Sequence, residues 1–362
     1  MRENLRDVAV QMNADGTVAI NGQILDIPKI KLVKEILPRG SNALMFEALD
    51  KTLARIVAVR VLIPKKGDTR DKVEQALAEA RKMARLNHEN IAQVYSCGQT
   101  EHNLTYIVLE FIEGTTLRDH LRTVQPNFMR RVRIWEQVKA AIEYAHSRGI
   151  YHGDLHDRNV MLADDTVKII DFGTSLFSTR EKASLRESTT IFHLCKTVFA
   201  GCSPRIEDMA DIDIRKQRPE AALAAMSAWV RVLQDWDQVL IAHNRKDEDR
   251  AVHATHSLAF DICQCPVFSI SMVVDQLAKR GISPSVQDYF VSWCVNHAKT
   301  FLTESGPNEH KVGIIPGRIS TGDRKEDEIL LESLWPALRQ RLLDWRGEAE
   351  SHTESSPSEN LY

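Results

Sequence analysis

Three side chains that carry oxygen lie close together in one region of the sequence. Asp154 and Asn159 belong to the run HGDLHDRNV at 152–160, and Asp171 opens Asp171-Phe172-Gly173, twelve residues after Asn159. Phosphoryl transfer needs mainly positioning and charge neutralisation: one carboxylate faces the attacking hydroxyl, while a second carboxylate and an amide oxygen hold Mg²⁺. We therefore predict that Asp154 orients an acceptor hydroxyl and that Asn159 and Asp171 bind the metal ion.

Apolar periodicity indicates the elements that would position these residues. Period-two alternation between turn residues predicts strands, and apolar residues at helical spacing predict an amphipathic helix. The predicted strands are a hairpin at 8–20, an antiparallel set at 29–63, single strands at 91–98 and 104–112, and a strand at 167–170 directly before Asp171, and the predicted helix is at 69–87. After Thr115 the pattern is mainly helical, apart from the region of Asp154.

Length and composition indicate a compact protein. The 362 residues, 43% of them apolar, suffice for a large core in two lobes or domains. Apolar runs fall short of the roughly eighteen residues of a membrane-spanning helix, and the N-terminal residues lack the apolar core of a signal peptide. Six scattered cysteines and a net charge of −3 favour reduced thiols and a cytoplasmic location, with neither a nucleic-acid nor a membrane partner.

The two motifs and their order resemble the protein kinase superfamily. HGDLHDRN resembles its catalytic loop, and Asp171-Phe172-Gly173 after an apolar strand resembles its metal-binding turn. The resemblance covers about residues 30–201, including RLNHENIAQVY, LEFIEGTTLRDHL and STTIFHLCKTVFAG, the last similar to the family's central buried helix. It implies an α+β, bilobal kinase-like fold: an N-terminal antiparallel sheet with one helix, then a mainly helical C-terminal lobe.

The resemblance and the periodicities together imply four segments. A β-hairpin extension spans 1–28, the N-terminal lobe spans 29–112, and the helical C-terminal lobe with the catalytic loop spans 113–345. Residues 346–362 form a tail whose serine- and glutamate-rich end is predicted to be disordered. The final ENLY resembles the start of a protease recognition site from an affinity tag, so it is left out of the fold prediction.

The resemblance also assigns residues to the phosphates of ATP. Arg60 ends the strand segment Val57-Ala58-Val59-Arg60, where the family has a lysine that contacts the α- and β-phosphates. Glu79 on the amphipathic helix is its assigned partner. In the phosphate-covering loop at 37–45, only Gly40 remains of the family's G-x-G-x-x-G pattern, which leaves one point of close backbone approach. These positions imply ATP and Mg²⁺ as cofactors.

Residues around the adenine are assigned in the same way. Leu109 stands where a side chain limits the depth of the pocket, and the backbone groups of Glu110 and Ile112 would face the adenine edge. Ala58 and Met161 would sandwich the ring. Together they imply a cofactor-binding site between the predicted sheet and the catalytic loop.

Two histidines flank Asp154. His152 is predicted to pack beneath the catalytic loop and to hydrogen-bond backbone near Asp171. His156 stands where protein kinases usually carry a lysine that contacts the transferred phosphate. A histidine there, with glycine before the aspartate, resembles the aminoglycoside and choline kinase branch as well as divergent bacterial kinases. His156 is therefore either a catalytic γ-phosphate contact or a hydrogen-bonding residue of the loop.

The segment after Gly173 is short. Only Thr174 to Arg186 precede Glu187, and no Ala-Pro-Glu sequence occurs there. If Glu187 corresponds to the family's buried aspartate, which opens the central helix, the usual activation segment is missing. Regulation by loop phosphorylation and an extended-peptide shelf are then not expected.

Three functions remain open. The favoured one is an atypical kinase that phosphorylates serine or threonine of a folded protein or of itself, because the N-terminal motifs are closest to serine/threonine protein kinases. A small-molecule phosphotransferase of the aminoglycoside or choline type is the first alternative. The second is a pseudokinase that serves as a binding or scaffold module: Arg60 in place of lysine favours it, and the intact Asp154, Asn159, Asp171 and Glu79 oppose it.

Overall fold

The computed structural model of the chain describes residues 8–13, 17–37, 39, 43–63, 70–172, 180–210, 213–264 and 268–304. The chain forms two compact units, Met1–Val198 and Phe199–Tyr362. The predicted lobe boundary between residues 112 and 113 lies inside the first unit and stays a prediction.

Three short strands open the first unit. They are β1 (Val10–Met12), β2 (Val18–Ile20) and β3 (Gln23–Leu25), paired antiparallel in the order β1-β2-β3. The prediction gave the β1–β2 hairpin only. The third strand follows a two-residue turn in which Asn21 and Gly22 both have positive φ, at 50° and 79°. This is the conformation that Asn-Gly favours in hairpins, so the signal for β3 was present in the sequence.

A five-stranded antiparallel sheet follows. Its strands are β4 (Ile30–Glu35), β5 (Ala43–Asp50), β6 (Arg55–Leu62), β7 (Val94–Gln99) and β8 (Thr105–Glu110), in the order β4-β5-β6-β8-β7. Helix α1 (Arg70–Met83) connects β6 to β7 and buries Leu77 and Ala80, two of the residues whose spacing predicted it. Strand β7 begins three residues later than predicted, because Ile91 instead bridges to Ile169.

The two sheets share one apolar cluster. From the N-terminal sheet and the turn after it come Val18, Ile20, Leu25 and Ile27. The five-stranded sheet contributes alternate residues of its strands, together with Leu104 just before β8. The cluster members from the larger sheet, with Leu104 just before β8, are Leu32, Leu44, Phe46, Ala48, Val57, Val59, Val61, Leu104 and Val108. The N-terminal strands therefore cover one face of the sheet that carries Arg60.

The rest of the first unit is mainly helical around a small sheet. Strand β9 (Thr115–Thr116) leads into α2 (Leu117–Thr123) and α3 (Phe128–Ser147). A hairpin of β10 (Val160–Ala163) and β11 (Thr166–Ile169) follows, and β10 lies between β9 and β11. Helix α4 (Arg180–Val198) ends the unit. This helix was expected to open at Glu187, but it begins at Arg180, because Arg180–Arg186 contains mostly good helix formers.

The second unit is helical where it is described. After two short 3₁₀ helices at Ile206–Asp208 and Ile214–Lys216 come four α-helices, which are α5 (Pro219–Asn244), α6 (Glu248–Gln264), α7 (Ile270–Lys279) and α8 (Pro284–Glu304). Its described helices bury apolar residues, with Trp229 and Trp236 in the core. Among the helices of the described residues, none has the length and apolarity needed to cross a membrane.

These elements confirm the predicted fold class. An antiparallel sheet with one helix precedes a mainly helical part, as in the α+β kinase-like fold. The tail at 346–362 lies outside the described residues.

Candidate active site

The β10–β11 hairpin brings the two predicted metal ligands together. Val160 pairs with Ile169, so Asn159 just before β10 lies opposite Ile170 just after β11. The Ile170 amide donates to the Asn159 carbonyl at 2.9 Å. Asp171 follows immediately, with a left-handed φ of 59°, a conformation uncommon for a residue other than glycine. The register of one hairpin thus places Asn159 next to Asp171.

Asp154 and Asn159 are linked within the catalytic loop. The Asn159 side-chain amide donates from Nδ2 to the Asp154 carbonyl at 3.0 Å. The Asn159 amide nitrogen is thus occupied, which leaves its Oδ1 as the atom that could bind a metal ion. The carboxylate of Asp154 points outward, with its side chain 58% exposed. A carboxylate in that position is accessible to an acceptor hydroxyl.

His152 anchors the loop from below. It is fully buried, its Nε2 lies 3.0 Å from the Ile170 carbonyl, and its ring packs on Phe172 at 4.8 Å between centroids. The Asp154 amide donates to its Nδ1 at 3.3 Å. This is the packing and backbone contact predicted for His152. The histidine therefore connects the catalytic aspartate to the strand end that carries Asp171.

Glu187 is a second anchor, fully buried in α4. Its carboxylate accepts hydrogen bonds from the amides of His152, at 3.2 Å, and Gly153, at 2.7 Å, and contacts His146 Nε2 at 3.2 Å. Burial raises the pKa of Glu187, but the His146 hydrogen bond, the neighbouring His152 and the Gly153 amide outweigh burial and lower it. The loop before Asp154 is therefore held by a charged carboxylate.

Arg60 reaches the metal-binding turn. Its Nη1 lies 2.9 Å from Asp171 Oδ1, and the Asp171 side chain is 27% exposed. The Glu79 side chain, its predicted partner, lies outside what the structure describes, so that pairing stays a prediction. Lys34, an alternative basic group, pairs with Glu47 at 2.8 Å. Arg60 is thus the basic side chain that the structure brings to Asp171.

The contacts of His156 are compatible with both of its predicted roles. Its Nδ1 accepts from the Arg158 amide at 3.2 Å, and its Nε2 lies 3.7 Å from Asp154 Oδ2. The first contact is the one expected of a residue that hydrogen-bonds within the loop. The second places the imidazole beside the Asp154 carboxylate, a position that also allows contact with the transferred phosphate.

The predicted adenine residues come from two separate sheets. Ala58 in β6 pairs with Leu109 in β8, and Met161 in β10 pairs with Thr116 in β9. The Glu110 amide donates to the Gln93 carbonyl at 2.8 Å. Only the carbonyl of Glu110 is therefore left to face an adenine. Ile112 follows β8 and is half-buried.

Two residues that the prediction missed join α2 to the catalytic loop. Arg118 donates to Asp157 from Nε at 2.9 Å and from Nη2 at 2.8 Å, and its backbone amide donates to the Asp157 carbonyl at 3.0 Å. No pattern in the sequence indicates this contact, because each residue alone is typical of a solvated surface. Only the fold shows that they meet.

The donor set fits a magnesium ion held together with nucleotide phosphates. Within the described ranges, no cluster of three or more His, Cys, Asp or Glu side chains could hold a metal by itself. Mg²⁺ in nucleotide sites is usually bound by one or two carboxylates plus substrate phosphates, so one amide oxygen from Asn159 and one carboxylate from Asp171 suffice. Gly40, the predicted phosphate-loop contact, lies outside the described residues.

Comparison with known proteins agrees with this geometry. Residues 32–197 match the protein kinase domain family. The chain is 33% identical over 147 residues to the serine/threonine-protein kinase PknA of Mycobacterium tuberculosis, a match covering 39% of this chain and 34% of PknA. It is 36% identical over 144 residues to PknB of Mycolicibacterium smegmatis, covering 38% and 23%.

A third relative is the serine/threonine-protein kinase PrkC of Bacillus subtilis, 29% identical over 163 residues, covering 44% of this chain and 24% of PrkC. The chain matches about a third or less of the length of these curated relatives. The matched region contains Arg60, the catalytic loop, Asp171 and Glu187. Residues 32–197 are therefore a protein kinase-like domain, similar to domains of bacterial serine/threonine-protein kinases.

Proposed function

We propose that this protein is an ATP-dependent kinase that transfers the γ-phosphate to a hydroxyl, most favourably serine or threonine of a folded protein or of itself. The observation that carries the proposal is the juxtaposition made by the β10–β11 hairpin. Its register sets Asn159 opposite Ile170, the residue before Asp171, and the outward carboxylate of Asp154 lies on the same loop as Asn159. These are the groups that phosphoryl transfer requires.

Each residue has a distinct role in the proposed reaction. Asp154 accepts a hydrogen bond from the acceptor hydroxyl, orients its oxygen and receives its proton. Asn159 and Asp171 would hold Mg²⁺, which neutralises charge on the phosphates when bound. Arg60 reaches the nucleotide phosphates from β6. Asp154 depends on Asn159 and His152 for its backbone position, so the loop is organised before substrates bind.

The acceptor class is supported by the relatives and by the length of one segment. The relatives are named serine/threonine-protein kinases. Helix α4 begins at Arg180, so only residues 172–179 separate it from Asp171. That length is too short for both a switch loop and a shelf for an extended peptide. Folded proteins, or the enzyme itself, are therefore better acceptors than short peptides.

A pseudokinase is the second candidate, and the Arg60–Asp171 contact favours it. An arginine fork 2.9 Å from the metal-binding carboxylate neutralises the charge that would attract Mg²⁺. The intact Asn159 and the exposed Asp154 favour catalysis instead. Turnover decides between the two.

The test is incubation with labelled ATP and Mg²⁺, followed by detection of label on the protein, on lysate proteins and on small alcohols. We expect label on protein. Asp154→Ala should lower the transfer rate at least about a hundredfold and leave ATP binding nearly unchanged, because the aspartate acts on the hydroxyl. Asp171→Asn should abolish metal-dependent nucleotide binding. Asp237→Asn, which removes an exposed charge from α5, is the matched control.

Other outcomes would redirect the proposal. Label on a small alcohol alone would establish the small-molecule phosphotransferase. Metal-dependent nucleotide binding without label transfer would establish the pseudokinase. Strong, sequence-selective labelling of short peptides would contradict the predicted absence of a peptide shelf.

A further inference from the structure

The catalytic loop is held at three places. Glu187 binds the amides of His152 and Gly153 before the aspartate, and the Asn159 side chain binds the Asp154 carbonyl inside the loop. The bend at 156–158 is held from outside the loop by α2. There, Arg118 makes the two side-chain hydrogen bonds and the backbone hydrogen bond to Asp157.

The first turn of α2 is itself fixed to the strand that follows the loop. Thr116 caps the helix by accepting from the Asp119 amide at 3.2 Å, and it pairs with Met161 across β9 and β10. The same end of the helix then reaches back to Asp157 through Arg118. The residues that α2 and its cap contact, Asp157 and Met161, lie two residues before and two residues after Asn159. One end of the helix therefore holds the chain on both sides of the amide proposed to bind the metal.

The geometry of the pair suits this positioning. The guanidinium meets the carboxylate through two parallel hydrogen bonds, which fix direction as well as distance. The Asp157 side chain is only 13% exposed, although that of Arg118 is 48% exposed. Because the guanidinium end of the pair is open to solvent, the pair should add little to global stability. Its effect should therefore be on the local placement of the loop rather than on folding.

We propose that Arg118 is a positioning residue that acts through Asp157 to hold Asn159 and Asp154 in place for catalysis. This inference rests on the proposed phosphotransfer function and adds to it a role that the first turn of α2 plays in metal binding. A small displacement of a reacting group lowers the rate steeply, by about a hundredfold for an error of about 1 Å. Loosening the bend should shift the Asn159 amide, and with it the dependence of the reaction on Mg²⁺.

The experiment compares Arg118→Gln, Asp157→Asn and the double variant with the wild-type protein. Each single variant should lower kcat about tenfold and raise the Mg²⁺ concentration for half-maximal rate several-fold, while the KM for ATP stays within about twofold. The double variant should be no worse than either single one, since both break the same contact. Arg118→Lys, which keeps the charge without the fork, should recover only part of the rate.

Arg122→Gln is the matched control. Arg122 is another arginine of α2, but its ion pair, with Asp119 at 3.2 Å, stays within the helix. This variant should behave as wild type. Calorimetric titration of Mn²⁺ into each protein with a non-hydrolysable ATP analogue gives a readout independent of turnover, and Arg118→Gln should weaken Mn²⁺ binding several-fold.

The outcomes separate the two proposals. A wild-type protein that binds Mn²⁺ and nucleotide but transfers no phosphate contradicts the proposed function, and the Mn²⁺ titration still tests Arg118. An active wild type with kcat and metal dependence unchanged in Arg118→Gln overturns the inference alone. A double variant whose fold-loss in kcat equals the product of the two single losses also overturns the inference. A wild type without metal-dependent nucleotide binding overturns both. Thermal unfolding of each variant shows whether a loss comes from misfolding.

Discussion

Arg60 joins two parts of the site that are distant in sequence. From β6 it contacts Asp171, 111 positions further along the chain. The planar fork of an arginine can serve a carboxylate and a phosphate at once, whereas a lysine offers a single compact charge. If the proposed site is right, Arg60 contacts the Asp171 carboxylate and also reaches the nucleotide phosphates.

Substitution of Arg60 tests that double role. Arg60→Lys should keep activity within about threefold of wild type or raise it, because a positive charge remains and Asp171 is less strongly occupied. Arg60→Ala should lower the affinity for Mg²⁺-ATP about tenfold, because the phosphates lose a charged hydrogen-bond donor. Calorimetric titration measures the affinity for Mg²⁺-ATP, and transfer of labelled phosphate measures the activity. Lys34→Ala is the control, and a loss there rather than in Arg60→Ala would place the phosphate contact on Lys34.

The sequence predicted the residue types of the site better than their contacts. Asp154, Asn159 and Asp171 follow from motif spacing, whereas the register that sets Asn159 opposite Ile170 was not predicted. The contact of Arg60 with Asp171 was not predicted, because several carboxylates lie at family positions and only packing selects among them. Arg118 and Asp157 were missed for a related reason, since a surface ion pair leaves no periodic signal.

At the scale of elements, Gly114 sets how closely the chain passes the β10 strand. A Cβ atom at this position would lie 2.1 Å from the carbonyl oxygen of Leu162. Because the obstacle is backbone, it cannot rotate away as a side chain could. The approach of the segment after β8 to the strand that follows the catalytic loop therefore requires glycine.

Gly114→Ala should destabilise the first unit by about 2–3 kcal/mol, since the strand must shift to admit a methyl group. Denaturant unfolding measures the loss. Glu113→Ala, at the exposed neighbouring residue, should stay within about 0.5 kcal/mol of wild type. Equal stabilities for the two variants would show that the close approach is absent in solution.

Helix α4 acts on the catalytic loop through Glu187. The sequence identified Glu187 as the buried acid of this helix but placed the helix start too late, because the resemblance took Glu187 as the residue that opens the helix, whereas the helix begins at Arg180. The acid lies inside the helix, which fixes its backbone by hydrogen bonds on both sides. A helix interior holds a side chain more firmly than a terminus, where ends fray.

Glu187→Gln should cost about 2–3 kcal/mol and lower kcat, because an amide presents a donor toward the His152 and Gly153 amides. The pKa of Glu187 is lowered in the fold, so its contribution is present above the ordinary value of 4.5 and is lost as pH falls below it. Unfolding measured from pH 7 to pH 3 should show a steeper loss in wild type than in Glu187→Gln. Glu143→Gln, on the exposed face of α3, should follow wild type.

At the scale of the whole molecule, the second unit holds a carboxyl pair between two helices. Asp235 of α5 hydrogen-bonds Asp261 of α6, which also contacts Arg231 Nε at 3.1 Å. Two ionised carboxylates cannot share a hydrogen bond, and Asp235 Oδ2 has no donor among the described residues. Burial, followed by the charge of Asp261, raises the pKa of Asp235 to about 7.

The stability of this unit should therefore fall as pH rises through about 7. The folded state binds the proton more tightly than the unfolded chain, so its contribution is complete below the ordinary value of 3.8, declines from there to about 7 and is lost above it. Thermal unfolding of wild type between pH 5 and pH 8.5 should show this decline and its levelling off above about 7. Asp235→Asn, which keeps a donor at every pH, should remove it, while Asp237→Asn should retain it. An unchanged slope in Asp235→Asn would assign the decline to another group.

The apolar cluster shared by the two sheets has a consequence for synthesis on the ribosome. Strands β2 and β3 leave the ribosome before β8, yet Leu104 and Val108 belong to the cluster that buries them. Closing so long a loop costs entropy that is recovered only when both ends are present. During translation the apolar face of the N-terminal sheet thus stays open to chaperones, or to a neighbouring nascent chain, until β8 has emerged.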